Sequence, residues 1–529
     1  MPRSAEDRTH WLLPGGATTF IVIALILFTL AAGIRGLGVA KGPAEFQPVR
    51  QYFSMMIARY LQHSGDPGLS AEQRTYLENT RQPIHEPPVT EWLSNQGFKL
   101  TGSESLWLPR LITSSAWLVG GVFLLLLLRR LVPPEAALAG TAFYLFLPFA
   151  IEQSLSIQPD SLMMASGLAG VYFILRHHQS PTRRNLIISG LVCALAITLK
   201  SQVVFLIAGS FAGLSLRRMP LSRLFICGDS WLFGLLALTP PVLYLLGNML
   251  FIGGIEAQRG IIPGALLSPH FYIAWLYLLE KAIGFPILVL GLLGLVAMRG
   301  DLRSLALGMW VGYALLGMMF TYHFATHIYY HSAVIPPIAL GLAALSASLV
   351  RTLRDQSGAY VSTGLALAAI LAIGLPLAQT ARSFDRPGVE DKARAFAEIG
   401  ERVAHSNQVL MYAQSEGLPL MYHARVSGWL WPTDFHLAVE RVGLKGISVG
   451  EGQPVGLGTE EIGRRLDEYR AKGARYFIAS WMEDFQRHPE LERYLAATYP
   501  RLTATADYQI YDLATPLRAP VTTTSTANR

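Results

Sequence analysis

The sequence predicts an α-helical polytopic membrane protein that carries a small α/β soluble C-terminal domain. Three observations predict it. Apolar runs of membrane-span length recur between residues 17 and 379. Lys and Arg collect in alternate short loops between those runs. Beyond residue 380 the pattern changes to short strand-like and helix-like stretches. Composition agrees: 51% of the residues are hydrophobic and 15% charged, against roughly 25% charged in soluble chains.

The apolar runs lie near 17–37, 111–128, 135–152, 161–176, 185–199, 202–216, 231–252, 282–298, 304–320, 332–350 and 360–379. They make about eleven spans, with the pair separated only by Lys200, Ser201 and Gln202 the least distinct. The first run follows Arg3 and Arg8 without a small-x-small cleavage site, so it reads as a retained span. Basic residues cluster at Arg129–Arg130, Arg176 to Arg184, Arg217 to Arg223, Arg299–Arg303 and Arg351–Arg354, and the alternate loops are nearly empty. The basic loops and the N-terminus are therefore expected in the cytoplasm. An odd number of spans then puts residues 381–519 outside. The net charge of +7 follows from this bias and needs no nucleic-acid partner. Cys193 and Cys227 fall in or beside spans, which excludes a disulfide framework and a cysteine zinc site in the soluble domain.

The membrane domain is expected over 1–380, including a long first extracytoplasmic loop, 38–110. In that loop Phe53, Met56, Ile57, Tyr60 and Leu61 form one face of an amphipathic helix. A second helix over 89–100 places Val89, Trp92 and Leu93 on one side. Both suit the membrane surface. In the C-terminal domain strands are expected at 408–413, 425–430, 474–480 and 508–513, with helices at 390–405, 460–472 and 489–497. The Thr- and Ser-rich tail, 520–529, reads as disordered.

Polar residues at span ends are functional candidates, because burying them in a bilayer is unfavourable. They gather on the extracytoplasmic side: Glu45, Arg50, Gln51, His85, Glu86 and Glu91; then Glu152, Gln153, Gln158 and Asp160; then Lys200 and Gln202; then His323, His327, Tyr329, Tyr330 and His331. Each also has a plain structural reading. Asp160 suits a helix N-terminus, Lys200 a snorkelling position, the histidine and tyrosines an interfacial belt, Glu86 an ordinary loop, and Arg50 and Arg59 a solvated helix face.

Four sequence elements occur in a recognisable order. The stretch HEPPVTEWLSNQGFKLTGSESLWLPRL holds the step Phe98-Lys99-Leu100-Thr101-Gly102 and then Arg110. It is followed by Gln158-Pro159-Asp160, Leu199-Lys200, and His327-Ile328-Tyr329-Tyr330 ahead of Pro336-Pro337. The set resembles the family-39-like glycosyltransferases of the GT-C superfamily, which include dolichyl-phosphate-mannose-protein mannosyltransferases and bacterial aminoarabinose transferases. In place of the Asp-Glu pair that many members carry after the first span, this chain has Glu45 and then Arg50-Gln51, closer to a bacterial Arg-Gln subgroup.

The resemblance implies a multi-pass enzyme of the bacterial inner membrane. It would transfer a sugar from a polyprenyl-phosphate donor to an acceptor hydroxyl on a lipid, glycan or protein. A carboxylate must then take the acceptor proton; Glu86 is the first choice, Glu45 the second and Asp160 the third. Arg50, Lys200, His327 and Tyr329 would hold the donor phosphate, with Gln51, His85, Gln158 and Tyr330 on the substrates. Use of a divalent cation is left open. A lipid-linked-glycan flippase or a non-catalytic membrane scaffold would share the spans but has no need for an acidic base beside a phosphate site.

Overall fold

The computed structural model describes residues 16–41, 46–84, 86–251, 261–354, 374, 377–382, 384, 389–434, 436–437 and 456–517. The chain forms two compact units, 1–41 with 84–386 and 42–83 with 387–529.

The first unit is a helical membrane domain. Ten of the eleven apolar runs are helices; the run at 360–379 lies mostly outside the described residues. Five helical stretches are each long and apolar enough to cross a membrane: Gly16–Val39, Trp107–Arg129, Gly228–Leu250, Gly300–Met319 and Ile328–Thr352. Two bent pairs raise that number to seven among the described residues. Pro134–Phe146 and Pro148–Leu155 meet at 57°, where Pro148 removes a backbone donor. The run expected as one span near 282–298 is the second half of the other pair. Pro269–Ala282 and Phe285–Ala297 meet at 96°, across Gly284 at φ +84°. The runs at 161–176, 185–199 and 202–216 become Asp160–Gln179, Arg183–Leu199 and Val204–Ser215.

Small residues bring these helices together. A Cβ on Gly209 would overlap the carbonyl oxygen of Gly308, so Val204–Ser215 and Gly300–Met319 touch backbone to backbone. Two buried arginines fasten the first helix. Arg35 donates to Ser154 Oγ at 2.8 Å and to the carbonyls of Ala31 and Leu145 at 3.0 and 3.1 Å. Arg110 donates to the Gly38 carbonyl at 2.9 Å, one of the last acceptors of Gly16–Val39.

The second unit is built on a five-stranded mixed sheet, β1 Val409–Tyr412, β2 Gly428–Leu430, β3 Tyr476–Ala479, β4 Arg501–Ala504 and β5 Gln509–Asp512. The strand order is β2-β1-β3-β5-β4. β1 runs parallel to β2 and β3, and β5 runs antiparallel to β3 and β4. The four expected strands form; β4, exposed at the edge, carries no hydrophobic run to announce it. Val389–Arg402, Thr459–Ala471 and Pro489–Thr498 are helices as expected. One core packs Leu410, Phe477, Leu466 and Leu495 on one face of the sheet, and another packs Met411, Ile478, Ile399 and Leu420 on the other.

The sequence reading assigned all of 38–110 to the membrane domain; instead 42–83 joins the C-terminal unit. The reason is helix Pro48–His63. Its Tyr52, Met55, Met56 and Ile57 are buried, and it packs on Leu418–Ala424. The expected solvated Arg59 is buried as well. It donates to Tyr76 Oη and to the Tyr422 carbonyl, both at 2.7 Å, with its guanidinium 3.8 Å from the Tyr422 ring centroid. Burial, and then the Arg59 charge, hold the His423 imidazole down to about 4, and its Nε2 shares a hydrogen bond of 2.7 Å with the Tyr52 hydroxyl. An amphipathic stripe requires an apolar partner, and here protein supplies it. Arg59→Met keeps the packing volume and removes both charge-assisted bonds. It is expected to destabilise this unit by about 2–3 kcal/mol, measured as thermal unfolding in detergent; an unchanged transition would mean that the two bonds contribute nothing net.

Candidate active site

The expected Gln158-Pro159-Asp160 element opens helix Asp160–Gln179, so Asp160 sits in its first turn, where the helix dipole favours a negative charge. The next helix, Arg183–Leu199, runs back beside it. A Cβ on Gly170 would lie 2.6 Å from Cys193 Sγ, so the pair packs at a separation that glycine permits. Antiparallel pairing brings the start of one helix to the end of the other, and therefore Asp160 to Lys200. The helix stops there because Lys200 is extended (φ −158°, ψ 110°) before a 3₁₀ turn, Ser201–Val203. Irregular backbone between two apolar helices is tolerated where it lines a polar site.

Lys200 Nζ donates to Asp160 Oδ2 at 2.8 Å. The two side chains are 4% and 1% exposed, so neither charge is solvated and the pairing is mutual compensation. On its other side the ammonium stands 4.5 Å from the Tyr329 ring centroid and 5.7 Å from that of Tyr330. The His327 ring lies 5.4 Å from Tyr329, and His323 stacks on Tyr330 at 5.1 Å. Three separate stretches of sequence thus meet at one ammonium.

The aromatic turn is held from behind. Trp275 Nε1 donates to Tyr313 Oη at 3.0 Å, and the hydroxyl lies 2.7 Å from His331 Nδ1. His331 Nε2 lies 3.1 Å from the Phe324 carbonyl. A carbonyl only accepts, so Nε2 carries the proton and the Tyr313 hydroxyl donates to Nδ1. His331 is therefore a latch that positions 328–334.

Polar atoms around the pair are buried and lack a hydrogen-bond partner among the described residues: Asp160 Oδ1, Ser161 Oγ, Gln158 Oε1, Gln202 Oε1 and both amide atoms of Gln153. Gln158 spends its amide nitrogen on Ser156 Oγ at 2.5 Å. Folded proteins leave few such groups; the carboxylate and amide oxygens only accept and suit the hydroxyl groups of a polar ligand, whereas Lys200, Ser161 Oγ and Gln153 Nε2 are the groups that can donate to an anion. A divalent cation fits poorly at Asp160, because the Lys200 ammonium already stands 2.8 Å from the carboxylate and would repel it.

Other expected site residues lie elsewhere. Glu86 precedes Pro87 and Pro88 at the entry to helix Val89–Thr101, and Glu86 and Glu91 both lie within electrostatic reach of Tyr244. Arg50 and Gln51 stand on Pro48–His63 in the second unit, Arg50 5.3 Å from the Phe53 ring and Gln51 donating to the Phe46 carbonyl. Glu45 and His85 fall outside the described residues. Helix Val89–Thr101 forms as expected: Thr90, Glu91, Ser94, Asn95 and Phe98 are buried, whereas Trp92 and Leu100 are 53% and 88% exposed. Its polar stripe faces protein together with Phe98, while Trp92 and Leu100 face out, an arrangement suited to a bilayer surface. The buried Thr90 and Asn95 were not among the sequence candidates. Their signal was the helical spacing of the polar residues, hidden behind the more conspicuous tryptophan.

Residues 85–244 match the family described as dolichyl-phosphate-mannose-protein mannosyltransferase. A comparison with curated protein sequences returns no match. Among solved structures, ArnT from Cupriavidus metallidurans bound to undecaprenyl phosphate is similar, with TM-score 0.57 and 16% identity over 94% of this chain and 97% of that one. The apo oligosaccharyltransferase of Archaeoglobus fulgidus aligns with TM-score 0.53 and 12% identity, over 91% of this chain and 73% of its own. The Archaeoglobus fulgidus oligosaccharyltransferase AglB, in complex with an inhibitory peptide and a dolichol-phosphate, aligns with TM-score 0.50 and 12% identity over 92% and 74%. The fold is thus the GT-C type seen in ArnT, a multi-pass membrane fold with a small C-terminal sheet.

Proposed function

We propose that this chain, ArnT-like in fold and matched over 85–244 to the mannosyltransferase family, is a membrane glycosyltransferase that uses a polyprenyl-phosphate sugar. The observation that carries the reading is the buried Lys200–Asp160 pair on its tyrosine floor, among polar atoms that await a partner. Two of the similar structures hold a lipid phosphate, undecaprenyl phosphate in ArnT and a dolichol-phosphate in AglB, which supports a donor of that class.

In this reading the acceptor oxygen attacks the anomeric carbon, its proton passes to a carboxylate, and the bond from that carbon to the phosphate oxygen breaks. Polyprenyl phosphate leaves with the electron pair. It needs charge stabilisation more than a proton, and Lys200 supplies it: an ammonium has three donors, and Asp160 takes one. Asp160 acts as the partner that aims Lys200. His327 and Tyr329 add hydrogen bonds to the phosphate, and Tyr330 and Gln158 bind the substrates. His85 extends the binding set from the first loop. Glu86 is the base, with Glu45 as the second candidate.

The basic short loops support an inner-membrane orientation with a cytoplasmic N-terminus and an extracytoplasmic C-terminal unit. A reporter active only in the cytoplasm, fused after Ala506, is expected to stay silent. The activity itself is tested with the purified full chain and a radiolabelled polyprenyl-phosphate sugar, offered with lipid, glycan and protein acceptors. Release of the label to an acceptor is expected. Binding of the donor with no transfer to any acceptor class would replace the enzyme by a lipid-linked-glycan transporter.

A further inference from the structure

The second unit holds a cluster that the transfer reaction does not use. The carboxylates of Asp434 and Asp484 and the imidazole of His488 converge, with a ligand atom from each within 4.8 Å of the others. His488 Nε2 stands 3.5 Å from Asp434 Oδ1. It is buried without a hydrogen-bond partner among the described residues. Asp484 is 6% exposed, and its Oδ2 accepts the Tyr412 hydroxyl at 2.6 Å.

The sheet places these groups together. Tyr412 ends β1, Asp434 follows β2, and Asp484 and His488 follow β3. All three strands are parallel, so the whole cluster lies at their carboxyl edge. From β1 the chain steps outward to β2 and then back across β1 to β3. Ligands of open α/β sheets bind at this edge, where the strand order reverses. Tyr412, Asp434 and His488 border a cavity of about 220 Å³ whose lining includes Trp431, Leu457, Leu491, Arg487 and Glu490.

We infer that Asp434, Asp484 and His488 bind one zinc ion at the edge of this cavity. Two carboxylates at this spacing repel each other. A proton on His488 offsets only one of them, whereas a dication offsets both and takes the free imidazole nitrogen as a ligand. The nitrogen donor disfavours calcium and magnesium, which prefer oxygen alone. Tetrahedral donors about 2.0–2.1 Å from zinc sit roughly 3.4 Å apart, close to the His488–Asp434 separation of 3.5 Å. Tyr412 is the outer partner that orients the Asp484 carboxylate. Three protein ligands leave a fourth position open toward the cavity.

The test uses the full chain with its affinity tag removed. The protein is stripped with EDTA, titrated with zinc against a chromophoric chelator, and assayed for bound metal after gel filtration. One zinc per chain is expected, together with a rise in the thermal transition of the stripped protein on zinc addition. In the variant carrying Asp484→Asn and His488→Gln the affinity is expected to fall by more than about a hundredfold, and with Tyr412→Phe by about tenfold to a hundredfold. His488→Gln alone serves if the double variant does not fold. The inference is overturned if the wild type takes up no zinc, if the bound zinc survives loss of His488, or if calcium displaces it at comparable concentration. Zinc that persists until His323 and His327 are replaced would belong to the membrane domain, and also overturns it.

Discussion

Replacing Lys200 with methionine is expected to lower sugar transfer by about two to three orders of magnitude, the effect of removing one preorganised donor from a developing anion. Donor affinity should fall by about tenfold to a hundredfold, since a charge-assisted bond to phosphate contributes roughly 1.5–3 kcal/mol. A second effect arises because Asp160 is 1% exposed and Lys200 holds one of its oxygens. The single variant strands that carboxylate in the interior, and breaking a buried pair destabilises by roughly 3–5 kcal/mol. The two effects separate in the variant that combines Lys200→Met with Asp160→Asn, which removes both charges. Its thermal transition in detergent should recover toward wild type while transfer of the radiolabelled sugar stays depressed. Wild-type transfer by this double variant would remove the pair from the phosphate site.

Glu86→Gln is expected to lower turnover by at least about a hundredfold with donor binding retained, because a general base contributes roughly 10²–10⁴. The two prolines after Glu86 fix their own φ and keep Glu86 out of the helical region. That rigid mount suits a group that must meet an acceptor hydroxyl in one geometry. Glu91, in the first turn of the helix that follows, is 6% exposed and shares Tyr244 as an electrostatic neighbour, so Glu91→Gln is the natural comparison. Glu45→Gln should lower turnover much less than Glu86→Gln. Single-turnover and equilibrium donor-binding measurements on the three variants distinguish them. Near-normal turnover in Glu86→Gln beside a collapse in either of the others transfers the role to that carboxylate.

How much of this was legible depended on distance along the chain. Apolar runs and strand stretches announce themselves locally, so ten apolar runs and four of the five strands could be placed from the sequence, whereas helices such as Ala71–Asn79, Pro269–Ala282 and Leu418–Ala424 were not. Lys200 and Asp160 could be named separately, each as a charge at the end of an apolar run. Their pairing could not, because it follows from antiparallel packing and from the close approach at Gly170. The position of helix Pro48–His63 was misjudged for the same reason: an apolar stripe states that something covers it without stating what. Leu418–Ala424 lies more than three hundred residues away. Asp434, Asp484 and His488 show no metal-binding spacing in sequence, since sheet topology alone gathers them.

The division of the chain into units also sets an order of events during synthesis. Residues 42–83 emerge early, yet the partner they pack against begins at 387. At about 5–20 residues per second, roughly three hundred intervening residues take some 15–60 seconds to translate. For that interval Tyr52, Met55, Met56 and Ile57 have no native surface to cover them, and Arg59 lacks the Tyr422 carbonyl. Nascent chains halted before 387 should therefore be captured by chaperones or proteases through this segment, and the later arrival of the C-terminal sheet is the step that releases them.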